Sequence, residues 1–343
     1  MRRERSRVIT SVYRRNLIPC CIVGVVLVYL LYTRPRSKKV MYVPRPEVNN
    51  VKDLLLLSNM RSGSTLTGEL LRDSPGTFFV FEPLQPLAPY HYFTESAVCR
   101  VRDEDCSTEQ AGKRISEALQ IVHAIFSCNI QAIPKVVMDF IRDQNKSGPA
   151  WYQFNTCLKV TPPEKSNSFP KQCLLDIEKE CKRAKTRIVK ILRLDLLTAE
   201  KLLRNLPILK IVMLFRDPRA IMNSRIKTDW FPVQENNTIE ATRNINSLCI
   251  KMENDLKTFR NRELAVSDRV IIMKTEDLFD ESIGVFNIFE FIDKKITNKE
   301  FERIEAVING KPLFRVWQNE IKTEYRKQTE SKCKTVLEFY GIK

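Results

Sequence analysis

Two histidines and no Cys-x-x-Cys pair in 343 residues leave no spacing suited to a structural zinc site, and no metal is expected. There is no internal repeat, which argues against a solenoid or propeller, and no low-complexity tract. Acidic residues are nearly missing from the first 39 positions: ten Lys/Arg stand there against Glu4 alone. That stretch therefore supplies about +9 of the net charge of +16, leaving about +7 on the rest of the chain. So small an excess argues against a nucleic-acid partner and suits an anionic small ligand, an acidic polymer or a solvated basic surface. Also missing is G-x-x-x-x-G-K-[ST], the loop an ATP-type phosphate site requires.

What is present begins with Leu17–Thr33, LIPCCIVGVVLVYLLYT, a run without charge that just reaches the length of a membrane span. Six Arg precede it and its end lacks a small-x-small cleavage pattern, which predicts an uncleaved anchor with a cytoplasmic tail. The expected organisation is a tail over 1–16, a span over 17–33, a Pro-containing stem over 34–50 and a lumenal domain over 51–343. Eight of the ten cysteines follow the stem, an even number that suits disulfides in an oxidising compartment. The short separations predict Cys99 with Cys106 and Cys173 with Cys181. Asn145 and Asn236 begin glycosylation sequons.

Within the body, apolar runs at 53–60, 77–81, 187–192, 210–215 and 269–274 read as strands, and amphipathic patterns follow most of them. Helix is expected at 65–72, through parts of 107–145, and between the strands 187–192 and 210–215. Alternation of this kind indicates an α/β domain with a mostly parallel sheet flanked by helices.

Two strand-to-helix turns carry the chemistry. In the first, Arg61-Ser62-Gly63-Ser64-Thr65 lies between the run Leu54–Leu57 and a helical pattern holding Leu66, Leu70 and Leu71. Backbone N–H groups at such a helix start favour an anion, Gly63 allows close approach, and Arg61 adds fixed positive charge. An ordinary capped turn is the alternative. In the second, KIVMLF ends at Arg216, Asp217 is placed to cap, Pro218 suits the first helical turn, and Ser224 lies two turns on. Arg219 and Arg225 add charge nearby. A magnesium-dependent kinase would more naturally present an acid where Arg216 stands, so this turn suits a bare phosphate.

Together the two turns make the chain resemble the Golgi carbohydrate sulfotransferases, in particular the branch that sulfates the 6-hydroxyl of galactose, N-acetylgalactosamine or N-acetylglucosamine. Phe81-Glu82-Pro83-Leu84, Arg193-Leu194-Asp195-Leu196, Glu276-Asp277-Leu278, Trp317 and Cys333…Tyr340-Gly341 belong to the same likeness. It implies a P-loop-like sulfotransferase fold and 3′-phosphoadenosine 5′-phosphosulfate (PAPS) as co-substrate. Arg61, Ser62, Gly63, Ser64, Thr65, Leu66 and Thr67 would hold the 5′-phosphosulfate. Arg216, Asp217, Pro218, Arg219, Ala220, Ile221, Met222, Asn223 and Ser224 would hold the 3′-phosphate, with Arg216 and Ser224 in direct contact. The implied acceptor is a glycan or glycosaminoglycan, at a Golgi membrane crossed once; a homodimer is an assembly to test. Segment 295–320 is shorter than the family's usual run ahead of the Trp, and 99–185 matches only loosely; acceptor contacts would lie in these segments.

Sulfuryl transfer needs stabilisation of charge on the transferring group and a base near the attacking hydroxyl. Arg61 is the expected stabiliser. Glu82, at the end of strand 77–81, is either the base or an ion-pair partner of a nearby Arg. His91 is the second candidate base, and His123, on an apolar helical pattern, reads as structural. Lys190 and Arg193 either reach the active site or solvate a sheet edge, and the edge is the preferred reading. Two other functions fit the sequence: a catalytically silent, membrane-tethered glycan-binding protein, and a lumenal P-loop kinase, which the missing loop Lys disfavours.

Overall fold

The computed structural model describes residues 51–342, apart from 145, 162–167, 230, 232–236, 262–267, 281–282 and 310–315. The expected span at 17–33, the stem and both sequon asparagines lie outside the described residues. Among those described, no helix is long and apolar enough to cross a membrane.

Five strands form the main sheet: β1 (Lys52–Ser58), β2 (Thr77–Phe81), β6 (Thr186–Ile191), β7 (Leu209–Phe215) and β8 (Val270–Lys274), in the order β2-β6-β1-β7-β8. Every pairing in it is parallel. β1 sits at the centre because its unbroken Leu run has no polar face to offer water. Leu54 and Leu56 feed the apolar core on one side of the sheet, Leu55 and Leu57 the core on the other, and all four are 0% exposed. After β1 the chain works outward to β2 and returns through β6; it then crosses to β7 and β8 on the opposite side. The direction of winding thus reverses around β1, and the crevice beyond the carboxyl ends of β1 and β7 is where sites form in open α/β sheets.

Helices follow the strands as the apolar patterns require: Ser64–Arg72 after β1, Leu196–Asn205 after β6 and Pro218–Ile226 after β7. Gly68 lets the first of these lie close on β2, since a Cβ there would stand 2.9 Å from the Phe79 ring. The expected helical stretch 107–145 resolves into Ala111–Phe126, a 3₁₀ turn at Ile130–Ala132 and Lys135–Asp143.

A second, antiparallel sheet, β3 (His91–Phe93), β4 (Val98–Arg100) and β5 (Cys106–Ser107), has strands too short to show in the apolar pattern. Its register sets Cys99 opposite Cys106, and these two are joined as the spacing predicted. The other local pairing fails. Cys173 and Cys181 lie on one helix, Lys171–Arg183. Two turns of helix hold them roughly 12 Å apart, whereas a disulfide spans Cα atoms less than about 7 Å apart. The helix instead turns both inward to different partners, giving Cys157–Cys173 and Cys128–Cys181. Cys249–Cys333 ties the long helix Thr238–Arg260 to the end of the helix Thr323–Lys332.

Candidate functional site

The turn after β1 is built to leave a helix start open. Arg61 and Gly63 take left-handed backbone, φ 76° and 79°, which wraps the chain tightly before Ser64. Gly63 adopts that conformation at no steric cost, whereas Arg61 holds it against its Cβ. The helix Ser64–Arg72 that follows has no side-chain cap and no acid in its first turn. The Ser62 side chain is fully buried, and its Oγ has no hydrogen-bond partner among the described residues. A helix N-terminus left open beside an unused buried hydroxyl fits the phosphosulfate end of the implied co-substrate.

The turn after β7 has another character. Asp217 accepts the Arg219 N–H at 2.9 Å and so caps its own helix, with Pro218 in the first turn. Asp217 also takes Arg219 Nε and Nη2 at 3.1 and 2.7 Å, while Glu330 takes Arg219 Nη1 at 2.9 Å. The Arg219 guanidinium further lies 5.0 Å from the Trp317 ring centroid. Arg219 is therefore spent on structure. Arg225 is likewise buried, bonded to the Met60 carbonyl and to Asn244 Oδ1. Both arginines were expected to supply loose positive charge; the capped, apolar packing of the helix turns them inward. Ala220, Ile221 and Met222 are wholly buried, so their side chains face the core, and Asn223 donates to Glu320. Arg216 and Ser224 are half-buried in this turn, and the structure brings both to the first turn. Arg216 Nη1 donates to the Arg61 carbonyl at 2.8 Å, and Arg61 Nε donates to Ser224 Oγ at 2.9 Å. Residues 163 positions apart are thus laced into one cationic rim.

Thr65 and Leu66 are half-buried in the first turn of the open helix; Ser64 and Thr67 are buried, Thr67 Oγ1 donating back to the Gly63 carbonyl at 3.3 Å. Beside Thr65 lies Glu82, which follows β2 with φ 46° and is buried. Lys190 Nζ donates to Glu82 Oε1 at 2.6 Å and lies 3.4 Å from Thr65 Oγ1; Arg193 Nη1 donates to Glu82 Oε2. This is the ion-pair arrangement among the two readings of Glu82. Burial alone would push its carboxyl up, but Lys190 and Arg193 outweigh it and hold the group below its ordinary value. Lys190 and Arg193 are consequently not solvated edge groups. β6 lies between β2 and β1, and Lys190 is 0% and Arg193 5% exposed. The sequence carried a signal for this, since Lys190 interrupts the apolar run of a strand buried on both faces.

His91 stands opposite Arg100 in the small sheet; burial together with Arg114 and Arg100 pushes its imidazole down. Its sheet reaches the Glu82 cluster through Phe93, whose N–H donates to the Arg193 carbonyl at 2.9 Å. His123 lies on the helix Ala111–Phe126 with Nδ1 3.4 Å from Ser127 Oγ, and takes no part in either turn. Thr275, which sequence reading passed over, and Glu276, named there only as part of the resemblance, bond to the two turns. Among the described residues no group of His, Cys, Asp and Glu is arranged to hold a metal ion.

A family model described as sulfotransferase domain matches residues 51–310. Carbohydrate sulfotransferase 7 of Rattus norvegicus is 26% identical over 239 residues, covering 61% of this chain and 46% of that protein. Carbohydrate sulfotransferase 2 of Homo sapiens is 27% identical over 211 residues, covering 55% and 36%. The chain thus spans less than half the length of these curated relatives. Among solved structures, sulfotransferase STF9 from Mycobacterium avium aligns over 85% of this chain and 78% of that one, with TM-score 0.43 and 17% identity. Mouse sulfotransferase SULT7A1 complexed with PAP aligns over 83% and 84%, with TM-score 0.41 and 10% identity.

Proposed function

Because the chain belongs to the sulfotransferase domain family, we propose that it transfers the sulfuryl group of PAPS to a sugar hydroxyl of a glycan or glycosaminoglycan. The 6-hydroxyl of galactose, N-acetylgalactosamine or N-acetylglucosamine is the position we favour, on the sequence resemblance. Relatives that carry the name carbohydrate sulfotransferase support the sugar as acceptor class. The setting we assign is the Golgi lumen, with residues 51–343 as the catalytic domain and 17–33 as a single-span anchor.

One observation carries the reading: the open helix start and the Arg216/Ser224 turn are laced together through Arg61. A donor with a phosphosulfate at one end of its ribose and a phosphate at the other needs two anion sites at a fixed distance, and these turns supply two. In the proposed reaction the amides after Gly63, with Ser64 and Thr65, orient the transferring end. Arg61 stabilises charge growing on the leaving oxygen. Arg216 and Ser224 hold the 3′-phosphate, and Glu82 accepts the proton of the attacking hydroxyl. Its ion pairs keep Glu82 ionised, and Lys190 links it to Thr65, so the base is tied to the donor turn.

Calorimetry with adenosine 3′,5′-bisphosphate tests the donor: tight binding without added Mg²⁺, far better than ATP, is expected. Equal binding of ATP, or a strict need for the metal, would sink the reading. Transfer of labelled sulfate from PAPS to a panel of desulfated glycans then identifies the acceptor. Both Glu82 oxygens being taken by cations favours one second reading, a silent glycan-binding protein. Bisphosphate binding without transfer to any glycan would select it.

A further inference from the structure

β8 lies at the edge of the main sheet, next to β7, and its register sets Lys274 opposite Phe215. The chain leaving β8 therefore emerges beside the chain leaving β7. The next residue, Thr275, is 0% exposed, and its Oγ1 donates to the carbonyl of Ser62 at 2.7 Å. The residue after that, Glu276, accepts the backbone N–H of Asp217 through Oε1 at 3.0 Å. Two consecutive side chains thus bond the backbones of two turns that lie 155 residues apart in sequence where Arg216 meets Arg61.

Among the described residues neither backbone group has another side-chain partner. The Ser62 carbonyl belongs to the left-handed turn that opens the first helix. The Asp217 N–H belongs to a residue whose side chain already caps its own helix. Arg61 and Arg216 lace the turns together on the solvent side, through side chains that a bound donor would itself engage. Thr275 and Glu276 join them through their backbones, Thr275 fully buried and Glu276 half-buried.

We propose that Thr275 and Glu276 are positioning residues that set the separation of the two donor turns, Thr275 by holding the phosphosulfate turn and Glu276 by holding the 3′-phosphate turn. The inference rests on the donor reading given above. A bidentate anion gains from two sites only when their spacing is fixed before it arrives, because each turn left loose must be ordered at the moment of binding. Loss of either clip should then raise the donor requirement and leave the chemical step alone.

The full chain carries the test. Thr275→Val keeps the shape and removes the donor; Glu276→Ala removes the acceptor. Each should weaken binding of adenosine 3′,5′-bisphosphate, and raise the KM for PAPS, roughly three- to tenfold. The kcat at saturating donor and the acceptor KM should stay near wild type. Thr275→Ser and Glu276→Gln, which restore a hydroxyl and a carbonyl oxygen, should recover most of the loss. Amide hydrogen exchange in the free protein gives a readout that needs no ligand. Thr275→Val should speed exchange across 59–67 and Glu276→Ala across 216–220. If the wild type binds the bisphosphate while both variants bind as tightly with unchanged exchange, the clip is overturned. If exchange responds as stated but the wild type fails to bind the bisphosphate, the donor reading falls and the clip stands as a structural device.

Discussion

Three strands of the main sheet, β1, β6 and β7, end in a turn that starts a helix, and the three turns are finished differently. After β6, Asp195 accepts the Thr198 N–H at 2.8 Å, with Asp255 taking the Leu196 N–H. After β7, Asp217 takes the Arg219 N–H. After β1 no side chain caps the helix. The two capped turns have used their helix starts internally, so they can offer a ligand only single side chains, as Arg216 and Ser224 are offered after β7. The uncapped turn offers its backbone. A helix with an unmet N-terminus inside an otherwise well-satisfied sheet is therefore a better pointer to a binding site than local positive charge, which at Arg219 and Arg225 proved structural.

The largest expected effect tests whether the chemistry lies outside all three turns. Glu82→Gln keeps the shape of the side chain and removes its basicity, and should lower kcat by about 10²–10⁴ with donor affinity near normal. A purely structural ion pair would instead lose stability and donor affinity together. Should turnover survive in Glu82→Gln and vanish in His91→Ala, the base is His91. Next, Arg216→Ala removes a charge-assisted contact worth roughly 1.5–3 kcal/mol and should raise the donor KM about ten- to a hundredfold. An unchanged KM would mean that the capped turn offers nothing to the donor.

Smaller effects probe the caps themselves. Asp217→Ala removes a cap and one of the two carboxylates on Arg219, and should lower stability in a denaturant titration by roughly 1–2 kcal/mol. Its donor affinity should change less than that of Arg216→Ala. Burial, with Asp255 adding like charge, raises Asp195 to about 6. An acid whose folded value lies above its unfolded one loses its proton first in the unfolded chain, so stability falls as pH rises from about 4 to about 6. Asp195→Asn keeps an acceptor for Thr198 and abolishes the titration. It should flatten that fall and favour the variant above pH 6 by at least about 1 kcal/mol, comparing unfolding at pH 4.5 and 6.5. A variant as steeply pH-dependent as the parent would place the titrating group elsewhere.

How much of this was legible from residues alone depended on range. Period and apolar run length placed all five main strands and several of the helices between them, though not Pro149–Val160 or Lys171–Arg183, because a buried parallel strand leaves an unbroken signature such as Leu54–Leu57. The two turns were legible because Gly63, Asp217 and Pro218 each have a local backbone reason for standing where they do. What was not legible was long-range. The fates of Arg219 and Arg225 depend on Glu330 and Asn244, far along the chain. Cys173 and Cys181 looked paired because they are near in sequence; a helix made them neighbours of a face instead of each other. For Lys190 the edge was preferred over the active site because its charge outweighed its setting, although a lysine inside a central apolar strand already implied a buried partner.

The helices near the C-terminus underlie the second turn: Glu330 holds Arg219, Glu320 holds Asn223, Trp317 packs on Arg219, and Cys249–Cys333 ties this region to the long helix. During synthesis, Arg219 leaves the ribosome 111 residues ahead of Glu330. At about 5–20 residues per second, the buried arginine waits roughly 6–22 s for its second carboxylate. The first turn can assemble early, around β1 and β6, whereas the second gains its last contacts only after Glu330 and Cys333 have emerged. If the second turn holds the donor as proposed, full donor affinity is a late event in the protein's biogenesis, and oxidation of Cys249 and Cys333 is a maturation step for the site as much as for the fold.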